Sequence, residues 1–276
     1  MGDSIEQVVD RHARYLEKTF GNPSWQLKLF VERLNNDREA ARAEAVIFAW
    51  LHQVGKNPKI NEKADTGGVD FRCHPEMGGE FLVEVTSFKI DALSSASGLS
   101  MNLDPNIGGF FTNVTPELRQ RIARKMDQLS GAGQLPRILA IASEHPKVGL
   151  VFDRSAVVNL LVSDWKFWTP LSDPSASVRV TDLKNSVFFR RDEANPSLLR
   201  PCRRSVSAVL LACIYSHRVE ARGVIHPEPA VRLDISVLPE VPLLYLTEWP
   251  PRDGILKPAW TLPSDPPFPD HRRVRI

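Results

Sequence analysis

At 276 residues, 42% hydrophobic and 25% charged, the chain has the proportions of an ordinary soluble globular protein, long enough for one large domain or one domain with an appendage. Its formal net charge of +2 names no partner, although local basic clusters could make a positive face. Cys73, Cys202 and Cys213 are odd in number and lack metal-type spacing, which argues against a disulfide framework or zinc ribbon, and reduced thiols are expected; without an apolar run of signal-peptide or bilayer-spanning length, a cytoplasmic protein is expected.

In chain order, residues 4–19 are expected to be helical, and Asn22-Pro23 breaks that segment from the next, so that residues 1–36 form an N-terminal helical segment. A stronger helix is predicted from Asp37 to Val54, capped by Asn36 or Asp37 and stopped by Gly55. After an extended piece from Lys59 to Lys63, the stretch GGVDFRCHPEMGGEFLVEVTSFK, Gly67 to Lys89, reads as two short strands around a Pro/Gly turn. Residues 90–114, rich in Ser, Gly and Asn without sustained period, are expected to form a long loop of the kind that often carries function. Thr115-Pro116 opens a helix that runs to Leu129 and stops at Gly131. RILAIA, Arg137 to Ala142, is a strand buried on both faces; SAVVNLLV, Ser155 to Val162, is a helix; AVLLACIY, Ala208 to Tyr215, is a second buried strand. Alternating strands and helices indicate an α/β layer fold over residues 37–248. Residues 249–276 are expected to be a Pro-rich tail with little regular structure, because proline lacks a backbone donor and fixes its own φ. Such a tail wraps the domain, or serves as a polyproline ligand or a basic arm on nucleic acid.

The hairpin carries the chemistry. Alternation puts Asp70 on one face with Arg72 and His74, and Glu84 on one face with Glu80, Leu82 and Thr86. If Pro75 to Gly79 form the loop, His74 pairs with Glu80 and Asp70 lies directly across from Glu84. Cross-strand like charges about 4.5–5.5 Å apart at Cβ repel and destabilise a sheet. Solvent screening, a shared proton or a bound cation would compensate, and two carboxylates with a backbone carbonyl suit a hard ion such as Mg²⁺ or Mn²⁺. On the preceding helix, Glu44 falls in the apolar stripe of Ala40, Ala41, Ile47, Phe48 and Leu51. Glutamate is almost never buried alone, so Glu44 is a third acid of the site, the partner of a core arginine such as Arg72, or a side chain that snorkels to the rim.

A helical Glu44, then Gly68-Val69-Asp70 on one strand and Glu84-Val85-Thr86 on the next, resembles the PD-(D/E)XK, or restriction-endonuclease-like, nuclease superfamily, over about residues 38–143. The resemblance implies a three-layer α/β/α core in αβββαβ order with a mixed central sheet and, here, a Pro-rich extension. It further implies metal-assisted hydrolysis of phosphodiester bonds, in defence or repair. Asp70, Glu84 and the carbonyl of Val85 would hold the metal, and Glu44 a second ion or a metal-bound water. Two positions depart from the pattern: Gly68-Val69 replaces the usual proline, and Thr86 stands where the family has its catalytic lysine. A threonine hydroxyl cannot supply the ammonium's charge.

The replacement is sought in Lys125, which falls within the stripe of Leu118, Ile122 and Leu129, with Gln128 one turn on; the alternative is a snorkelling stem whose head reaches water. Lys89, five residues beyond Glu84, is the competing donor and needs a bulge to reach. Arg119, Arg121 and Arg124 are expected on exposed sides of the Lys125 helix, and Arg190-Arg191, Arg203-Arg204 and Arg272-Arg273 add basic pairs that are surface or phosphate contacts. Trp165-Lys166-Phe167-Trp168 is core or a stacking platform, and His226-Pro227-Glu228-Pro229 reads as a loop. The partner expected is DNA, or RNA in its place, without a membrane, and a homodimer is allowed. Three readings stay open: a Mg²⁺-dependent nuclease, a nucleic-acid-binding relative that lost activity with its lysine, and an unrelated acid-pair hydrolase such as a glycosidase.

Overall fold

The computed structural model describes residues 3–62, 68–101, 114–129, 133–162, 165–168, 171–172, 178–181, 183, 185–195, 198–216, 218–251, 255–262 and 274–275. Lys63, Gly67, Gly131, Arg272-Arg273 and much of the expected loop and tail lie outside the described residues. The chain is mixed α/β and divides into two compact units, Met1–Val114 with Arg137–Phe152 and Leu210–Ala221, and Thr115–Pro136 with Asp153–Val209 and Arg222–Ile276.

In the first unit, α1 (Ile5–Phe20) opens with a reciprocal cap in which Ser4 Oγ accepts from Gln7 N at 3.3 Å and Gln7 Oε1 accepts from Ser4 N at 2.8 Å. Ser24 caps α2 (Trp25–Asn36), and Asp37 Oδ1 accepts from Ala40 N to start α3 (Arg38–Gln53). Val9, Leu16, Phe30, Ala41 and Ala45 form the core of these three helices. The other side of α3 meets the sheet, where Phe48 lies 5.2 Å, ring to ring, from Phe71. Burial on both sides explains why α3 hides eight residues of its sixteen.

The strands β1 (Pro58–Ile60), β2 (Phe71–Cys73) and β3 (Phe81–Ser87) form an antiparallel meander, and β4 (Arg137–Ser143) pairs parallel to β3 through six residues from Leu82↔Arg137 to Ser87↔Ala142. Six of the seven β4 residues are buried, as its apolar run predicts. Between β3 and β4, Ile90–Ser97 is a helix, α4, where the sequence reading has a loop. Its serines hide it: Ser97 Oγ returns to Leu93 O at 2.7 Å, and Gly98, at φ 75°, closes the helix with its N–H on Ser94 O.

In the second unit, α5 (Thr115–Gln128) buries Thr115, Leu118, Arg119, Ile122 and Met126. Two expectations for this helix are corrected: Met126, not Lys125, continues the stripe, leaving Lys125 half-buried beside it, and Arg119 is buried rather than exposed. There follow α6 (Arg154–Val162), β5 (Trp165–Trp168), β6 (Val178–Thr181), β7 (Phe189–Arg191) and β8 (Leu199–Pro201). Next come β9 (Ala208–Tyr215) and β10 (Arg218–Ile225), through which the division into units passes, then β11 (Leu243–Leu246), β12 (Ile255–Leu256), β13 (Pro258–Trp260) and β14 (Val274–Arg275). The large sheet is mixed and eight-stranded, in the order β1-β2-β3-β4-β9-β10-β11-β13. The Pro-rich segment therefore contains more regular structure than proline content suggests: β13 pairs antiparallel with β11, and Pro258, its first residue, stands on a terminal strand where a missing donor is tolerated. Among the described residues no helix is long and apolar enough to cross a membrane.

Candidate active site

Three of the predicted acids come together in the first unit. The pairing Phe71↔Val83 and Cys73↔Phe81, continued one residue beyond each end of the ladder, sets Asp70 across from Glu84 and His74 across from Glu80. The outer pair is neutralised, since Glu80 accepts from Arg72 Nε at 2.9 Å and lies 2.6 Å from His74 Nδ1. The inner pair is buried, Asp70 at 9% and Glu84 at 6% exposure.

Local backbone geometry fixes Asp70 in place. Gly68, at φ 140°, takes a conformation that a side chain would strain, and brings the chain beside Asn61, whose Nδ2 donates to Val69 O and whose N donates to Asp70 O. Asp70 Oδ2 then accepts from Val85 N at 2.7 Å, so the carboxylate reaches across to the β3 backbone. Burial pushes the Asp70 pKa well above its ordinary value, and the charges of Glu84 and Glu44 push it further, against the Val85 N–H and Arg33.

Glu44, on α3, is only 12% exposed at its side chain, and its partner is Arg33 of α2, not Arg72. Arg33 Nη1 lies 2.7 Å from Glu44 Oε2 and Nη2 2.6 Å from Glu62 Oε1. Burial alone would lower the arginine's pKa; Glu44 and Glu62, with Asp70 contributing, more than reverse it. Burial raises the pKa of Glu44 despite the opposing charge and hydrogen bond of Arg33, with Glu62 and Glu84 adding to the rise. His12 of α1 closes this side, its Nε2 3.9 Å from Glu44 Oε1. Glu44, Asp70 and Glu84 thus share one electrostatic environment, in which Arg33 places a guanidinium beside Glu44.

Arg33, Glu62 and His12 were not singled out from sequence. His12 carried a signal, a polar residue at helical spacing between Val9 and Leu16 in the buried stripe of α1. Arg33 carried a weaker one, three residues after buried Phe30. Glu62 follows a three-residue strand and had none.

The cations proposed from sequence are placed as follows. Thr86 lies two residues beyond Glu84, half-buried, and brings no charge. Lys89 is exposed and pairs with Asp37 Oδ2 at 2.9 Å. Lys125 is on α5, in the second unit. The basic pairs in the second unit are engaged locally: Arg203 Nε with Asp127 at 2.9 Å, Arg204 Nε with Glu228 O at 3.0 Å, Arg190 with Ser186 O and Phe189 O.

For a metal, the donor chemistry fits in kind. Buried, mutually repelling carboxylate oxygens and the Val85 carbonyl are hard ligands whose repulsion a divalent ion would relieve. As placed, Glu44 is drawn to Arg33, and among the described residues no group of three or more His, Cys, Asp and Glu is arranged to hold an ion. The pair Asp70 and Glu84 is therefore the part of the site that fits best, and Glu44 is the acid that would have to exchange its partner. No protein-family model, no curated protein and no solved structure matches this chain.

Proposed function

We propose that the protein is a divalent-metal-dependent nuclease that hydrolyses phosphodiester bonds in DNA, or in RNA in its place, in a defence or repair setting. The observation that carries this reading is the buried Asp70 set across from Glu84, with Glu44 of α3 acting electrostatically on Asp70. The succession α3, β1, β2, β3, α4, α5, β4, which inserts α4 into the αβββαβ order, has a meander followed by a parallel β3–β4 pair and supports a restriction-endonuclease-like core. Asp70, Glu84 and the Val85 carbonyl would hold Mg²⁺ or Mn²⁺; such an ion, when bound, activates water and offsets charge on phosphate. Glu44 would orient a water or hold a second ion once released from Arg33. Arg33 and Lys125 are the two cations to be tested in the role that Thr86 cannot fill.

One observation favours a second reading. Thr86 at the lysine position suits a nucleic-acid-binding relative that kept the acids without the chemistry. The hairpin placement of both acids argues against the third reading, which needs carboxylates on separate elements flanking a sugar cleft.

Supercoiled plasmid, single-stranded DNA and RNA incubated with the protein and Mg²⁺ or Mn²⁺ should be cleaved, Asp70→Ala should abolish cleavage, and Arg33→Met and Lys125→Ala should show which cation contributes. Cleavage surviving Asp70→Ala sinks the site; binding without cleavage by wild type supports the second reading.

A further inference from the structure

The second unit contains a cavity of about 330 Å³ bounded by α5 and by the residues that lead into β7. That volume is at the lower end of small-ligand sites. Arg119 of α5 and Arg190 of β7 both line it, together with the exposed amides of Gln120 and Asn185. Arg119 is 7% exposed and Arg190 half-buried, so water screens both charges less than it would on an open surface.

Arg190 presents one edge of its guanidinium to this space. Its Nη1 donates to Ser186 O and to Phe189 O, the latter at 2.9 Å, which fixes the plane of the group. Its Nε and Nη2 meet no acceptor among the described residues. Guanidinium donors form a rigid fork, and two adjacent N–H groups are the arrangement that grips an oxyanion in bidentate fashion.

The charges around Arg190 are out of balance. Burial pushes its pKa below the ordinary value, and the charges of Arg203 and Arg119 push the same way. Asp127 opposes them, but this carboxylate is already held by Arg203, Nε to Oδ1 at 2.9 Å and Nη2 to Oδ2 at 3.4 Å. Cys202 would oppose them only as a thiolate, and burial raises its pKa, so at neutral pH it is an uncharged thiol. Glu117, exposed in the first turn of α5, also lines the cavity, which leaves two guanidiniums facing one carboxylate. A carboxylate ligand would satisfy one of the two arginines. A phosphate monoester, with nearly two charges and three acceptor oxygens, matches both.

We propose that this cavity binds a phosphate monoester, gripped by the Nε and Nη2 edge of Arg190 and by the charge of Arg119, with Gln120 and Asn185 as neutral donors. A free sugar phosphate and the phosphorylated end of a nucleic-acid strand offer the same group. The proposal goes beyond the hydrolytic reading and does not depend on it, since the cavity lies in the other unit and needs no metal.

The test is a calorimetric titration of the full chain in EDTA and about 150 mM NaCl, where long-range attraction between exposed charges is largely screened. The ligands are ribose 5-phosphate, ribose, and a single-stranded oligonucleotide carrying either a 5′-phosphate or a 5′-hydroxyl. Saturable binding is expected for ribose 5-phosphate or for the phosphorylated strand, with ribose and the 5′-hydroxyl strand weaker; the tighter of the two phosphorylated ligands identifies the source. Arg190→Gln should weaken binding about tenfold or more, and Glu117→Gln, which removes a repelling charge, should tighten it about twofold. Absence of saturable binding by wild type overturns the proposal, as does binding that ignores the phosphate in both comparisons. So does unchanged affinity in Arg190→Gln, or in Glu117→Gln should the first variant fail to fold. With EDTA present, cleavage at Asp70 and Glu84 plays no part, so this proposal and the hydrolytic one can fail separately.

Discussion

At the scale of single residues, the site is organised by one arginine serving two glutamates. Arg33 balances Glu44 and Glu62 while opposing the charge on Asp70, a task a bound ion would share. Arg33→Met should therefore destabilise the metal-free protein by about 1–3 kcal/mol, less than a fully buried pair because the arginine is partly exposed. Millimolar Mn²⁺ should recover part of that loss, seen as a larger metal-induced rise in Tm than in wild type; equal rises in both proteins would show that Arg33 and the metal do not compete. In the second unit, His226 is 1% exposed, its Nε2 on Cys202 O at 2.8 Å and its Nδ1 accepting from Glu228 N. Burial lowers its pKa to about 4 from the usual 6.5, with the Cys202 carbonyl opposing the shift. The folded state therefore binds fewer protons than the unfolded one between these values: stability is full above about pH 6.5 and falls by roughly 3 kcal/mol as pH drops to 4. Urea unfolding at several pH values should show this slope, and His226→Gln should flatten it; an unchanged slope would assign it to other groups.

At the scale of elements, the hairpin register and the caps were legible because each rests on local rules. Strand alternation and a five-residue turn suffice to set Asp70 across from Glu84, and Asp37 before an apolar-periodic run suffices to start α3. Partnerships between elements were not legible. Arg33 lies eleven residues before Glu44 and twenty-nine before Glu62, so nothing local joins them. On α5 the buried arc is shifted by one residue from the stripe read in sequence, which exchanges Met126 for Lys125 and hides Arg119. The α4 helix was missed because serine composition outweighed the Gly98 stop signal. Asp37 illustrates how one cap serves two elements, since its Oδ1 accepts from Ala40 N and its Oδ2 pairs with Lys89 before α4. Asp37→Ala should cost about 1–2 kcal/mol, mostly through the lost cap. Lys89→Ala should cost less, as expected for an exposed ion pair; equal losses in the two variants would place the energy in the bridge instead.

For the whole molecule, the acid cluster sets local function against global stability. A core position that holds Asp70 beside Glu84 and near Glu44 raises the free energy of the metal-free fold, and the Val85 N–H and Arg33 offset only part of it. Asparagine keeps an oxygen for the Val85 N–H and removes the charge. If repulsion outweighs the attraction to Arg33, Asp70→Asn should stabilise the protein in EDTA by about 1 kcal/mol, a rise in Tm of roughly 2–4 °C for a chain of this size. The same variant should lose the stabilisation that Mn²⁺ gives wild type, because stabilisation by a ligand follows its affinity for the folded state. Thermal unfolding of both proteins with EDTA and with Mn²⁺ separates the cases. A variant more stable without metal and indifferent to it marks Asp70 as a site residue held against the fold's own preference. A variant less stable in EDTA marks the carboxylate as a structural anchor of β2 on β3, with its hydrogen bond to Val85 outweighing the repulsion.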